Sequence, residues 1–238
     1  MKKLFSLLLI IACFMLTACG APTPKEEAVK LNNSYVKQAD EIYDSTHQEL
    51  VAMSKKYGES SSEALYEFAK VVRTKNLPAI NDLIAKFDKE QITDQSIKEM
   101  TRKRLLSTQK VITVFSTFDK EKDLNVQQRI NFKADYITTM RQAKDELLIY
   151  NNEYSKLVNG KSSYALTLDN FKKIHKGDSY VTVANYFNMP GKLISTNDAS
   201  IGILTIQQET FEWKNGESVV TIVFINNEAK QISQKNLQ

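Results

Sequence analysis

The sequence predicts an α+β protein, with an antiparallel helical bundle followed by a small unit of two short helices and an antiparallel β-sheet. Apolar residues recur at helical spacing from residue 29 to residue 158, and no strand pattern interrupts them. Short β-type runs separated by turn residues follow after residue 200. The pattern changes at Asn159 and Gly160. We therefore predict a helical bundle at 29–160 and an α+β domain at 161–238.

Four amphipathic segments predict the bundle, because each apolar stripe needs a partner that covers it. Ser60 and Glu63 are spaced as a capping box at the start of the second segment. This segment is expected to end or kink near Asn76, because Pro78 disfavours helical geometry in the residue before it. The four segments cover residues 29–57, 60–87, 93–118 and 126–158.

Two short helices and three strands are predicted for the C-terminal unit. Ser179 is placed to cap the second helix, and residues 188–191 are placed to end it. Turns at 215–216 and 226–227 separate the strands, which predicts an antiparallel meander. The helices are expected at 168–174 and 180–187, and the strands at 203–213, 219–225 and 229–233.

The N-terminal residues have the order of a secretory signal peptide: Lys2 and Lys3, then an apolar run over residues 4–15. The next four residues, Leu-Thr-Ala-Cys, resemble the lipobox of bacterial lipoproteins. The resemblance implies cleavage after Ala18, which makes residues 1–18 the signal peptide, and a diacylglyceryl anchor on Cys19 that holds the protein to the membrane. A transmembrane anchor is the alternative, but residues 4–18 are fewer than the roughly 20 that a spanning helix needs.

The residues after the lipobox predict an extended tether at 19–28, because Pro22 and Pro24 fall in a stretch without apolar periodicity. Cleavage also removes Cys13, so Cys19 has no cysteine partner for a disulfide. The 32 basic and 28 acidic residues nearly balance once two lysines leave with the signal peptide. Nothing in this balance indicates a nucleic-acid partner.

Residue types that catalysis and metal binding need are scarce. His47 and His175 have no second histidine or cysteine at ligand spacing. The serines at 60–62 have no neighbouring histidine with an orienting acid. We therefore predict a protein that is not an enzyme, with no catalytic residue, no metal ligand and no cofactor.

The third segment contains a run of basic residues with two interpretations. The run fits a solvated helix face, or a surface that contacts anionic lipid or wall polymer. Its members are Lys98, Arg102, Lys103, Arg104 and Lys110.

A set of glycines, prolines and core positions runs through residues 166–238: Phe171, Ile174, Gly177, Ser179, Tyr180, Val183, Phe187, Pro190, Gly191, Phe211, Trp213, Lys214, Val219 and Phe224. In these residues the unit resembles the β-lactamase-inhibitory-protein-like domain of bacterial lipoproteins, whose plan also occurs in outer-membrane assembly lipoproteins of the BamE type. Asn188 stands where the family usually has glycine, and asparagine tolerates a left-handed backbone. The resemblance implies two helices packed on a sheet, in a family whose characterised members bind proteins.

The strand at 219–225 is apolar on both of its faces. One face is needed to cover the two short helices, so the other is available to dock on a partner protein or on the bundle. The residues predicted to bind a partner are Phe211, Trp213, Val219, Thr221, Val223 and Ile225.

These observations predict an extracytoplasmic, lipid-anchored protein that acts as a protein-binding or envelope-assembly accessory. The alternative is a lipoprotein that binds a solute or wall polymer in a cleft between the helical and β domains. A pocket with converging polar groups would favour the alternative, whereas a flat apolar sheet would favour protein binding. The many lysines, asparagines and isoleucines are typical of a low-GC Gram-positive source, where the anchor would lie in the outer leaflet of the cell membrane.

Overall fold

Four long helices form the N-terminal part of the protein, as the sequence predicts. A computed structural model describes residues 22–59, 61–201 and 204–237. Two of the long helices contain one π-helical turn each, at Asn32–Val36 and Val72–Asn76. The helical elements are α1 (Pro24–Leu31), α2 (Lys37–Tyr57), α3 (Ser62–Val71), α4 (Leu77–Asp88), α5 (Gln95–Phe115) and α6 (Val126–Asn159), with a 3-10 turn at Phe118–Asp123.

The chain is already helical at Pro24, which corrects the predicted extended tether at 19–28 over its last residues. Thr23 accepts a hydrogen bond from the backbone N–H of Glu26, and the Glu26 carboxylate accepts one from the backbone N–H of Thr23. This is a capping box with proline at the first helical position. A proline that was taken as part of a linker is therefore part of a helix start. The predicted signal peptide at residues 1–18 and the predicted lipidation site Cys19 lie outside the described residues.

Side-chain caps fix the starts of α3, α5 and α6 within two residues of the predicted places. Asp94 caps α5, and Asn125 caps α6. The cap of α3 is Ser61, one residue later than predicted. The helix does not end before Pro78, because the π turn at Val72–Asn76 precedes it. A π turn widens the helix and accommodates a proline ring that would otherwise meet the carbonyl four residues back.

The C-terminal unit contains two short helices and one antiparallel sheet with the strand order β1-β2-β3-β4. Its first strand was not predicted, because its sequence is polar and shows no apolar alternation at this edge of the sheet. Asn188 ends the second helix with a left-handed φ of 47°, the conformation expected there. The elements are α7 (Leu168–Phe171), α8 (Tyr180–Phe187), β1 (Lys192–Ile201), β2 (Leu204–Asn215), β3 (Ser218–Ile225) and β4 (Glu228–Lys235).

Two hydrophobic cores lie on either side of α6. Tyr136, Met140 and Leu157 of this helix pack against the core of the bundle. Leu148 belongs to the second core, between α8 and the sheet. The helix thus presents one stripe to each core, and the bundle meets the C-terminal unit along it.

Candidate functional site

Phe211 and Trp213, which were predicted to bind a partner, are core residues instead. They are 3% and 0% exposed. The indole N–H of Trp213 donates to the carbonyl of Met189 at 2.9 Å. A Cβ on Gly191 would lie 2.7 Å from the Trp213 ring, so glycine is needed there for the ring to approach. Side chains alternate along β2, and Phe211 and Trp213 both belong to the face that packs with the helices.

The other four predicted residues, Val219, Thr221, Val223 and Ile225, share the opposite face of β3 and are half-buried. Polar residues of the neighbouring strands flank this row on both sides. They are Thr210, Glu212 and Lys214 on β2, and Gln231, Ser233 and Lys235 on β4. The face therefore carries a narrow β-branched row between polar borders, and protein docking on it stays a prediction.

A cavity of ≈ 460 Å³ lies where the bundle meets the C-terminal unit, and we call it the junction cavity. Four helices form its wall: α2, α5, α6 and α8. The wall combines charged, polar and apolar side chains. Its lining residues are Asp40, Tyr43, Asp44, Arg104, Ser107, Thr108, Val111, Met140, Ala143, Lys144, Leu147, Val181 and Asn185.

Arg104 is the buried cation of the junction cavity, with a side chain that is 8% exposed. One of its terminal nitrogens pairs with Asp40, and the other donates to the hydroxyl of Thr108. Its Nε has no hydrogen-bond partner among the described residues. Burial raises the pKa of the Asp40 carboxyl, as does the charge of Asp44, although Arg104 opposes both effects. The guanidinium is thus paired with one carboxylate, and its Nε–H is buried without a hydrogen bond to the described residues.

Arg104 occupies this position because it is in phase with the buried stripe of α5. Ile97, Thr101, Thr108 and Val111, at helical spacing on either side of Arg104, are all buried. A charged residue on an otherwise uncharged buried stripe is the sequence signal that could have separated Arg104 from the other basic residues of this segment.

The other residues of that basic run do not share the buried environment of Arg104. Arg102 pairs with Asp88 at 2.9 Å. Lys98, Lys103 and Arg102 do not line the junction cavity. The helix therefore places Arg104 in a buried position and Arg102 and Lys103 on its surface. The basic run does not form a single face.

Lys144 is the second cation of the junction cavity and is half-buried on α6. None of the ion pairs found among the described residues involves it. Burial lowers the pKa of the Lys144 ammonium, the positive charge of Arg104 lowers it further, and Asp145 opposes both. Two cationic groups therefore line one cavity together with two carboxylates, of which Asp40 is paired with Arg104.

Next to the junction cavity, α6 is bound to the C-terminal unit by paired polar groups. A terminal nitrogen of Arg141 donates to both carboxylate oxygens of Glu209, at 2.6 and 2.7 Å. The guanidinium lies 5.3 Å from the centroid of the Phe211 ring and 5.9 Å from that of Tyr180. The Tyr180 hydroxyl donates to Asp145 at 2.6 Å. Burial raises the pKa of Asp145 to about 6, although the Tyr180 hydrogen bond and the charge of Arg141 oppose this effect.

A larger groove of ≈ 590 Å³ lies between the start of α5 and the end of α6. Its charged lining is mostly acidic, with Lys103 and Lys156 as the basic members. Among the described residues, none of the buried polar atoms that lack a partner belongs to this lining. The groove therefore gives less indication of a specific ligand than the junction cavity.

Comparison with protein-family models, curated proteins and solved structures finds no match to this chain. Within residues 22–59, 61–201 and 204–237, no helix has the length and apolar character required to cross a membrane. The same residues contain no cluster of three or more histidine, cysteine, aspartate or glutamate side chains suited to a metal ion. The junction cavity is thus the candidate site, defined by its own geometry.

Proposed function

We propose that this protein is a lipid-anchored, extracytoplasmic binding protein whose junction cavity takes a small solute. One observation is central to the proposal: Arg104 and Lys144 line the same cavity as Met140, Leu147 and Val181. Buried cations are normally paired and hydrogen-bonded by the protein, and Lys144 belongs to none of the ion pairs found among the described residues. A wall that combines charged and apolar side chains supports a small solute with polar and apolar groups. The volume of ≈ 460 Å³ lies within the range of about 300–1,000 Å³ common for small-molecule sites.

The solute-binding proposal is tested by closing the junction cavity at its rim. Asn185 lines the cavity and is exposed, so Asn185→Trp adds bulk without removing a core contact. Asn131→Trp, at an exposed position of α6 outside the cavity, is the matched control. The mature chain carrying Cys19→Ser, which cannot be lipidated, is screened against a metabolite library by thermal shift. Compounds that raise the Tm of the unblocked and control proteins, but not of Asn185→Trp, support the proposal. Equal shifts in both variants contradict it.

Anchoring is tested separately through the predicted lipidation site. Cys19→Ala removes the sulfur that the thioether needs, so metabolic labelling with a fatty-acid analogue is expected to mark the wild-type protein and not the variant. The variant is expected either to remain as a precursor or to be released from the membrane. Labelling of Cys19→Ala equal to that of the wild type would contradict lipidation at this residue.

Protein docking on the outer face of the sheet is the second candidate function, because Val219, Thr221, Val223 and Ile225 form a continuous half-buried row there. A photoreactive amino acid placed at Val223 should yield a discrete crosslinked product in intact membranes. The same residue placed at Val126, an exposed valine of the bundle, is the matched control. A product of the same size from both positions, or none from Val223, would contradict specific docking on this face.

A further inference from the structure

The charged side chains of the junction cavity divide into one ion pair and two unpaired groups. They are Asp40 and Asp44 of α2, Arg104 of α5 and Lys144 of α6. Arg104 and Asp40 pair with each other. Asp44 and Lys144 belong to none of the ion pairs that the structure describes. The cavity therefore has one carboxylate and one ammonium that no ion pair engages, and their charges are opposite in sign.

Each unpaired group lies near a like charge that is already paired. Burial raises the pKa of the Asp40 carboxyl, and the charge of Asp44 adds to this effect although Arg104 opposes it. Burial lowers the pKa of the Lys144 ammonium, and the charge of Arg104 adds to this effect although Asp145 opposes it. Like charges therefore repel each other on both sides of the ion pair. A ligand cation beside Asp44 and a ligand anion beside Lys144 would each offset this repulsion.

The rest of the wall offers apolar contact to the body of such a ligand. Met140 and Leu147 of α6 and Val181 of α8 line the cavity and are half-buried. Methionine adapts its shape to an apolar ligand more readily than branched side chains do. Hydrocarbon placed against these residues would be removed from water, which stabilises the complex in proportion to the area buried. Two opposite charges and an apolar surface thus line one cavity of ≈ 460 Å³.

We propose that the occupant of the junction cavity is a small zwitterion with an apolar body, the chemistry that a free apolar amino acid and an apolar dipeptide share. Lys144 binds its carboxylate and Asp44 binds its ammonium through charge-assisted hydrogen bonds. Met140, Leu147 and Val181 contact the body. This inference rests on the proposed function, because it names the ligand class of the same cavity. An anion or a cation alone would leave one of the two charged groups without a partner.

The test compares ligands that differ by one charge. L-Leucine and L-leucyl-L-leucine, which separate their charges by different distances, are titrated calorimetrically at pH 7 into the mature chain carrying Cys19→Ser. Each is compared with its deamino analogue, which lacks the ammonium, and with its C-terminal amide, which lacks the carboxylate.

The two charges of the ligand should contribute unequally. The preferred zwitterion should bind about tenfold or more tightly than its amide, because Lys144 is half-buried. It should bind about two- to fivefold more tightly than its deamino analogue, because Asp44 is exposed and solvent screens its ion pair. The two zwitterions distinguish a free amino acid from a dipeptide.

Two variants assign each charge of the ligand to its residue in the wall. Lys144→Met should bind the zwitterion no more tightly than its amide, and it should keep the preference over the deamino analogue. Asp44→Asn should bind the zwitterion no more tightly than the deamino analogue, and it should keep the preference over the amide. Lys133→Met and Asp135→Asn, at exposed positions of α6 outside the cavity, are the matched controls and should keep both preferences. Urea unfolding confirms that each variant is folded.

Three results would overturn the ligand class. One is an amide or a deamino analogue that binds as tightly as its zwitterion, which leaves the proposed function standing if Asn185→Trp abolishes the binding. Another is a variant of Lys144 or Asp44 that keeps the preference its residue should create. The third is no binding of any of these compounds. The metabolite screen then decides independently whether the junction cavity binds a different solute, so failure of the ligand class and failure of the proposed function remain distinguishable.

Discussion

Two arginines reach the junction between the bundle and the C-terminal unit, and they differ in the exposure of the carboxylate that pairs with each. Arg141 of α6 donates to both oxygens of Glu209, whose side chain is 9% exposed, and lies against two aromatic rings. Arg104 of α5 pairs with Asp40, whose side chain is 46% exposed. A buried carboxylate that loses its cation stays buried and uncompensated, whereas an exposed one is solvated, so the two ion pairs should contribute differently to stability.

The residues of α6 also fall into two groups. Arg141, Asp145 and Leu148 face the C-terminal unit, where they make an ion pair, a hydrogen bond and a core contact. Met140 and Lys144 line the junction cavity, and Lys144 belongs to none of the ion pairs found in the described part of the chain. One helix thus carries both groups that hold the two parts together and groups that line the cavity. The experiments below test what these groups contribute.

The largest expected effect is the loss of stability on breaking the ion pair of Arg141 and Glu209. Glu209→Gln removes the charge that compensates Arg141 in a site where the two side chains are 9% and 16% exposed. Breaking a buried ion pair by removing one partner costs about 3–5 kcal/mol, because the remaining charge stays buried. Urea unfolding should show this loss. Glu212→Gln, on the same strand and the opposite face, is the matched control and should change the free energy of unfolding by less than about 0.5 kcal/mol. Equal losses in both variants would show that the ion pair contributes little.

The next effect is a dependence of stability on pH that arises from Asp145. Its pKa rises with burial from 3.8 to about 6 in the folded protein, so between these pH values the folded state binds a proton that the unfolded chain has released. The free energy of unfolding should therefore fall as the pH rises from about 4 to about 6, by about 2–3 kcal/mol.

Asp145→Asn keeps an acceptor for the Tyr180 hydroxyl and removes the titration. Urea unfolding from pH 4 to pH 7 should show this variant to be more stable than the wild type above pH 6, with the difference vanishing near pH 4. Asp135→Asn, at an exposed position of the same helix, should keep the pH dependence of the wild type. If Asp145→Asn kept it as well, Asp145 would not be its source.

The fold could be predicted from the sequence where its signals are local. Asp94 and Asn125 cap helices through backbone groups two or three residues away, and the helices begin within two residues of the predicted starts at 93 and 126. The strand β1 escaped prediction because it is polar and lies at an edge, so no burial pattern marks it. Phe211 and Trp213 were assigned to the wrong face, because apolar alternation does not fix the register that pairs Phe211 with Ile222 and Trp213 with Val220.

The candidate site could not be predicted from local sequence signals. Asp40 and Arg104 are 64 residues apart in the chain, and the junction cavity forms only when α2, α5, α6 and α8 come together. The sequence did predict a cleft between the two parts as one location for a solute, but it did not identify the residues. The sequence signal for the site was that Arg104 is in phase with the buried stripe of α5. It was missed because Arg104 is surrounded by other basic residues.

The smallest expected effect is the change in stability on breaking the ion pair of Arg104 and Asp40, and it tests the comparison most directly. Arg104→Met removes a buried cation with an unsatisfied Nε and replaces it with an apolar side chain. Asp40 is left without its partner, but its side chain is 46% exposed and stays solvated. We expect the free energy of unfolding to change by no more than about 1 kcal/mol in either direction.

Arg141→Met is the matched variant, and it should cost about 3 kcal/mol because it leaves the carboxylate of Glu209 buried. Urea unfolding of the two variants side by side measures the difference. Losses of equal size would show that the exposure of the partner carboxylate does not decide what each ion pair contributes to stability.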